Sequence, residues 1–177
     1  MAILNIKIYG DTILRERAKE VEDTDIYIER FLNDMAETLD YYHGLGLAAP
    51  QVGVSRRIIV VNAGNGLRTM INPTILWKSG SESGLEGCLS LPGISLVIER
   101  AKEIVVQCLS RDGQQKELLI GGLEARAVQH EIDHLNGILI IDRIAKEELK
   151  SIQGELRELE LMKKRKSPRT KSLSIPS

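Results

Sequence analysis

Cysteine and histidine are scarce in this chain of 177 residues, which has two of the first and three of the second. No apolar run approaches the roughly 20 residues of a membrane span, so a transmembrane protein is not expected. With only Cys88 and Cys108, and enough length to build a real core, the fold does not need a disulfide. Free thiols or a metal ligand are the simpler expectation. A net charge of −1 gives no reason to expect nucleic acid or an acidic membrane surface as the main partner. The start, Met1 to Lys7, lacks a basic region followed by an apolar stretch, so no secretory signal is expected and the expected setting is the cytoplasm. With 42% apolar and 28% charged residues and no internal repeat, the composition fits one globular domain.

Two of the three histidines fall in one short stretch, Gln129–His130–Glu131–Ile132–Asp133–His134. On a helix, residues i and i+4 share a face one turn apart, so both imidazoles reach one metal ion. Glu131 projects about a quarter-turn round, where a base acting on an activated water would sit.

The pattern predicts a first helix from Thr24 or Asp25 to Tyr42, with Ile28, Leu32, Met35, Leu39 and Tyr42 as its apolar stripe and Gly44 as its stop. His43, at its end, reads as a charge partner of the helix terminus rather than a ligand. Residues 44–51 (GLGLAAPQ) carry little bulk, so a backbone or a substrate can approach them closely. Strands are predicted over 57–61, 68–71, 74–78, 95–100, 104–109 and 115–120, with Asn72-Pro73 breaking the second from the third and residues 79–84 forming a polar loop. Trp77 reads as partly buried packing and Cys108 as core. Asp112-Gly113 marks a hairpin turn. Cys88 falls on a loop shaped by Gly87 and Pro92. The HEIDH helix is predicted over Leu123–Asn136, stopped by Gly137, and one charged helix over Ala145–Lys164 with Leu149, Ile152, Leu156 and Leu159 inward.

Two histidines from one helix need a third protein ligand, leaving an open position if the site is catalytic. The candidates are Cys88, Glu155 or Glu158, and His43. Cys88 is favoured by its glycine-flanked loop.

Three segments resemble a known family, in that family's order: Gly44 to Gln51, Glu86-Gly87-Cys88-Leu89-Ser90, and Gln129 to His134. They are similar to the signature motifs of peptide deformylases of the bacterial type, and the likeness spans roughly residues 1–145. It implies a hydrolase removing the formyl group from N-formylmethionine of newly made polypeptides and releasing formate. It implies Cys88, His130 and His134 as ligands of one divalent metal, ferrous iron in most members, with zinc or nickel able to substitute. It implies Glu131 as base and then acid, and Gln51 and the backbone N–H of Leu89 as oxyanion donors. It adds Gly44, Leu45, Gly46 and Glu86 near the substrate. Leu123 and Ala127, like Arg126, share the face of His130, and the first two could line a slot for the methionine side chain. Arg100 and Asp133 read as ion-pair groups. The residues after Pro92, Gly93-Ile94-Ser95, lack the arginine that some members place there.

The expected fold is α+β: antiparallel β-sheets around a central HExxH-bearing helix, with an N-terminal and a C-terminal helix. One catalytic domain is expected over 1–164, followed by a basic, disordered tail over 165–177. The basic run Lys163 to Lys166 makes ribosome contact a further expectation, beside formylmethionyl peptides as substrates and no sequence-specific nucleic-acid binding.

Overall fold

The computed structural model describes residues 2–166. Helix α1 (Ile26–Tyr41) begins at Asp25, whose Oδ1 accepts the backbone N–H of Tyr27 and of Ile28 at 3.0 Å each. That satisfies two of the helix's unpaired donors. Leu32, Met35 and Leu39 are buried, Ile28 is half-buried, and Tyr42 is left 39% exposed past the last turn. The stop differs from the expected one. His43 takes the left-handed conformation (φ 53), its N–H donates to Asp40 O at 3.0 Å, and the N–H of Gly44 donates to Leu39 O at 3.1 Å. This is a Schellman closure with histidine, not glycine, in the left-handed position. The His43 side chain is exposed.

Five strands, β1 (Gly46–Ala48), β2 (Ile58–Val61), β3 (Arg68–Ser79), β6 (Glu103–Leu109) and β7 (Gln115–Gly121), form one antiparallel sheet in the order β1-β2-β3-β6-β7. A second sheet holds only β4 (Glu82–Gly87) and β5 (Ser95–Arg100). Asn72-Pro73 does not end a strand. β3 runs through it with a shift of register against β6 between Ile71 and Thr74. Asn72 has φ 50, which asparagine tolerates, and its amide accepts from Val21 N–H at 2.9 Å and donates to Val21 O at 2.8 Å. The side chain thus ties the bulge to the segment at Val21, while the backbone N–H of Asn72 donates to Arg57 O at 2.8 Å. The expected polar loop shrinks to Gly80 and Ser81, because residues 82–84 pair with β5. Trp77 is 49% exposed on the outer face, beside Val105.

Helix α2 (Gly122–Leu135) runs through the centre, and from Glu124 to Leu135 every residue except Arg126 is buried. Ala125, Ala127, Val128, Ile132 and Leu135 pack on Ile59, Val61, Met70, Ile104, Val106 and Ile120 of the large sheet. The two alanines let helix and sheet approach closely. The carbonyl of Leu135 at its C-terminus accepts from the buried Arg57 at 3.0 Å, a cation at the negative end of the helix dipole. Gly137 (φ 71) then turns the chain, and a Cβ there would lie 2.5 Å from Arg15 O. Gly137→Ala combines a strained φ with a backbone clash, so it should cost at least about 1–3 kcal/mol. Thermal unfolding should fall by about 2–4 °C for each kcal/mol lost. A midpoint unchanged within a degree would contradict this packing.

A 3₁₀ turn (Ile140–Arg143) follows, and then the predicted single helix is two, α3 (Lys146–Ser151) and α4 (Gln153–Lys166), broken at Ile152 just before Gly154. Leu156 and Leu159 pack in the cluster of Leu14, Leu91, Leu96, Ile98 and Ile140, with Leu149 and Ile152 against it from the other side of the break. Arg165 and Lys166 belong to α4, so the expected tail loses its first two residues to the helix; residues 167–177 lie outside the described part. No helix is long and apolar enough to cross a membrane among the described residues.

Candidate active site

Cys88 lies one residue past the end of β4, and His130 and His134 lie one turn apart on α2. The Sγ of Cys88 is 3.3 Å from His134 Nε2, which is 3.2 Å from His130 Nε2. All three donor atoms fall within 4.8 Å of one another. Ligands at metal–nitrogen and metal–sulfur bond lengths in a tetrahedron are separated by roughly 3.3–3.6 Å, so the spacing suits one first-row ion. The residues fit such an ion in a second way. The carboxylate of Glu86 is 2.9 Å from His130 Nδ1, a contact that turns the Nε2 edge of the ring toward the thiol and His134. His134 is held neutral, well below its usual range, by burial and then by the nearby charge of His130. Burial also works against the protonated form of His130, but bonding to Cys88 and Glu86 outweighs it and raises its pKa. Among the described residues no fourth cysteine, histidine or carboxylate joins the cluster, so a closed structural metal site finds no support.

The support behind His130 is an ion-pair chain. Burial alone would raise the Glu86 pKa; hydrogen bonds from Arg100 and His130 overcome it and hold the group at about 2. Arg100 donates from Nε and NH2 to the two Glu86 oxygens at 2.9 Å and from NH1 to Asp133 at 2.6 Å. Asp133 also receives both nitrogens of the Arg143 fork at 2.5 Å. Arg100 and Asp133 are therefore ion-pair groups, as the sequence suggests. Glu86, by contrast, was expected near the substrate. It lines the cavity, but both its oxygens are committed to Arg100, Arg126 and His130. Its geometry also makes it the partner of His130.

Glu131 is buried, and among the described residues its Oε2 has no hydrogen-bond partner. Burial is the main cause that pushes its pKa up to about 7. A carboxyl poised near neutrality can take and return a proton. Gly46 is packed against it: a Cβ at position 46 would strike Glu131 Oε1. The small residues of the 44–51 stretch therefore make room for the carboxylate as well as for a ligand.

These groups meet at a cavity of about 210 Å³ whose wall includes Gly44, Leu45, Gln51, Leu89, Leu123 and Ala127. Ala127 is buried, whereas Leu45 and Leu123 are about half exposed at the mouth. The amide oxygen of Gln51 accepts from Ala48 N–H at 2.8 Å, which aims its Nε2 at Cys88 Sγ (3.6 Å) and Ser90 Oγ (3.3 Å). The competing ligands stay apart. His43 is exposed at the end of α1, and Glu155 and Glu158 are exposed on α4; Cys108, read as core, is buried in β6. Sequence reasoning did not assign Ser90 or Arg143 a part, and it noted Arg126 only as a residue sharing the His130 face. The one available signal was spacing: Arg126 precedes His130 by four positions.

Residues 3–150 match the family model described as polypeptide deformylase. The chain is 52% identical over 143 residues to a peptide deformylase of Pelotomaculum thermopropionicum, covering 81% of this chain and 92% of that one. It is 48% identical over 143 residues to one of Carboxydothermus hydrogenoformans, covering 81% and 94%. Among solved structures, the peptide deformylase of Thermotoga maritima superposes with a TM-score of 0.79 at 46% identity, covering 81% of this chain and 98% of that one. The peptide deformylase of Ehrlichia chaffeensis in complex with actinonin gives 0.86 at 36% identity, covering 94% and 100%. The chain belongs to the polypeptide deformylase family, metal-dependent hydrolases that remove the N-formyl group from nascent peptides.

Proposed function

We propose that Cys88, His130 and His134 hold one divalent ion, and that Glu131, Gln51 and Leu89 act with it on N-terminal formylmethionine. The observation that carries this reading is the meeting of a thiol and two imidazole nitrogens within 4.8 Å, beside a buried carboxylate at the same cavity. Fe2+ is the ion we favour, on the family likeness; one thiolate and two imidazoles also suit Zn2+ or Ni2+. When bound, such an ion polarises the formyl carbonyl and activates a water near neutral pH.

The chain's own groups supply the remainder. Glu131 accepts a proton from the attacking water and delivers it to the leaving amine as the C–N bond breaks, so formate and a free amino terminus result. The Gln51 Nε2 and the Leu89 N–H donate to the carbonyl oxygen as negative charge grows there. The Gln51 amide oxygen is held by Ala48 N–H, and its Nε2 exchanges a bond to Cys88 Sγ or Ser90 Oγ for the one to the carbonyl oxygen. Gly44, Leu45 and Gly46 border the cavity at β1, an edge strand of the large sheet, whose free side can accept an extended peptide. Leu123 and Ala127 offer an apolar slot for the methionine side chain. Glu86 serves this reaction by orienting His130.

Formate release from formyl-Met-Ala-Ser by protein purified without oxygen tests the reading; no release from iron-loaded protein would end it. A cytoplasmic setting and one catalytic domain over 1–164 accord with it. We also propose that the basic end of α4 touches the ribosome. Lys163 there donates to Gly10 O at 3.1 Å, tying this end of the helix to the body of the protein. Truncation after Leu159 should reduce co-sedimentation with ribosomes, and unchanged co-sedimentation would remove that proposal.

A further inference from the structure

The β4–β5 sheet is a lone antiparallel pair, an arrangement marginal in stability without outside support. From β5, Leu96 and Ile98 are anchored in a core cluster. No residue of β4 enters one, and Leu85 is 70% exposed. Yet β4 forms one wall of the cavity and leads directly into Cys88. Something must hold it against α2.

Arg126, the one residue of α2 after Leu123 that is not buried, spans that gap. Its NH2 donates to Glu82 O at 2.7 Å, and its NH1 to Ile98 O at 2.8 Å and to Glu86 Oε1 at 2.9 Å, with Gly84 O at 3.5 Å. One guanidinium thus bridges both strands and the carboxylate behind His130, while its side chain is only 12% exposed. Gly84 is shaped to receive it. A Cβ at position 84 would lie 2.9 Å from Arg126 Cζ and 3.0 Å from NH2. The φ of Gly84 is not positive, so the glycine is there for space and not for backbone conformation. A planar fork suits several fixed acceptors in a way that the point charge of lysine does not.

We infer that Arg126 is a positioning residue for peptide binding: with Gly84 it fixes the β4 wall of the cavity at the separation from α2 that the substrate needs. It touches neither the three donor atoms nor Glu131, so its loss should weaken substrate binding and leave bond cleavage almost intact. The inference rests on the deformylase reading for its kinetic readout only.

The test uses full-length, metal-loaded protein. Arg126→Met should raise KM for formyl-Met-Ala-Ser about tenfold with kcat within about twofold of wild type. Metal content should be unchanged, and backbone amides of residues 82–88 should exchange faster. Arg126→Lys should fall between wild type and Arg126→Met. Gly84→Ala, which displaces a flexible side chain without straining the backbone, should reproduce the KM effect by itself. In the double variant the new methyl group occupies the space the guanidinium has left, so KM should stay within about twofold of Arg126→Met alone. Additive effects, an unchanged KM, or a fall of kcat in step with metal content would overturn the inference. If wild type released no formate, the deformylase reading would fail, and the exchange of residues 82–88 in both single variants would still decide the role of Arg126.

Discussion

Glu131→Gln should cut formate release by about 10²–10⁴-fold while leaving one metal ion per chain in place. Glutamine keeps the shape of the side chain, so the close fit against Gly46 is preserved. What is lost is the ability to take a proton and return it. Because Glu131 is buried with its Oε2 unpartnered among the described residues, folding gains nothing from its charge, and the neutral amide should not lower the melting temperature. The variant therefore separates chemistry from stability. Turnover within tenfold of wild type would remove Glu131 from the mechanism. A loss of activity accompanied by loss of metal would mean that the substitution had disturbed His130 beside it.

Cys88→Ala should abolish activity by another route, through the metal. Zinc held by four protein ligands is worth roughly 10–16 kcal/mol, or about 2.5–4 per ligand, so losing one of three should weaken affinity by roughly 10²–10³-fold. Metal analysis after dialysis should read near zero for this variant against about one ion per chain for wild type. Folding should change little, since Cys88 is only half-buried at the edge of a core cluster. Retained metal would revive a peptidase-like site completed by a carboxylate. The exposed positions of Glu155 and Glu158 on α4 argue against that outcome.

The two variants probe parts of the site that were unequally legible. His130, Glu131 and His134 could be read from the chain because helical periodicity is local; any stable helix puts positions four apart on one face. Cys88 and Gln51 come from other segments: the glycine-flanked loop favoured Cys88 among several candidate ligands, whereas only the family likeness joined Gln51 to the helix in advance. Two glycines look alike in sequence and do different work. Gly46 gives space to Glu131 and Gly84 gives space to Arg126, and each reason lies on a distant segment. Local rules also misplaced some boundaries. Asn72-Pro73 reads as a break, but the strand absorbs it as a bulge that the Asn72 amide ties to Val21, and β3 continues. The charged C-terminal helix reads as continuous, yet it breaks at Ile152, with its apolar residues packing on one cluster from both sides of the break.

Glu86 shows most clearly where the division falls. Its motif marks it as part of the site, and by sequence alone it belonged near the substrate. In the fold it lines the cavity and also accepts two guanidiniums and an imidazole, so it sets the orientation of His130. The sequence by itself determined the chemistry available: a thiol, two imidazoles on one helical face, a carboxylate between them, and a small-residue strand before an amide. The division of labour among these groups was decided only by tertiary structure, because burial and pairing across distant segments set which groups are neutral, which are charged and which are left free to react.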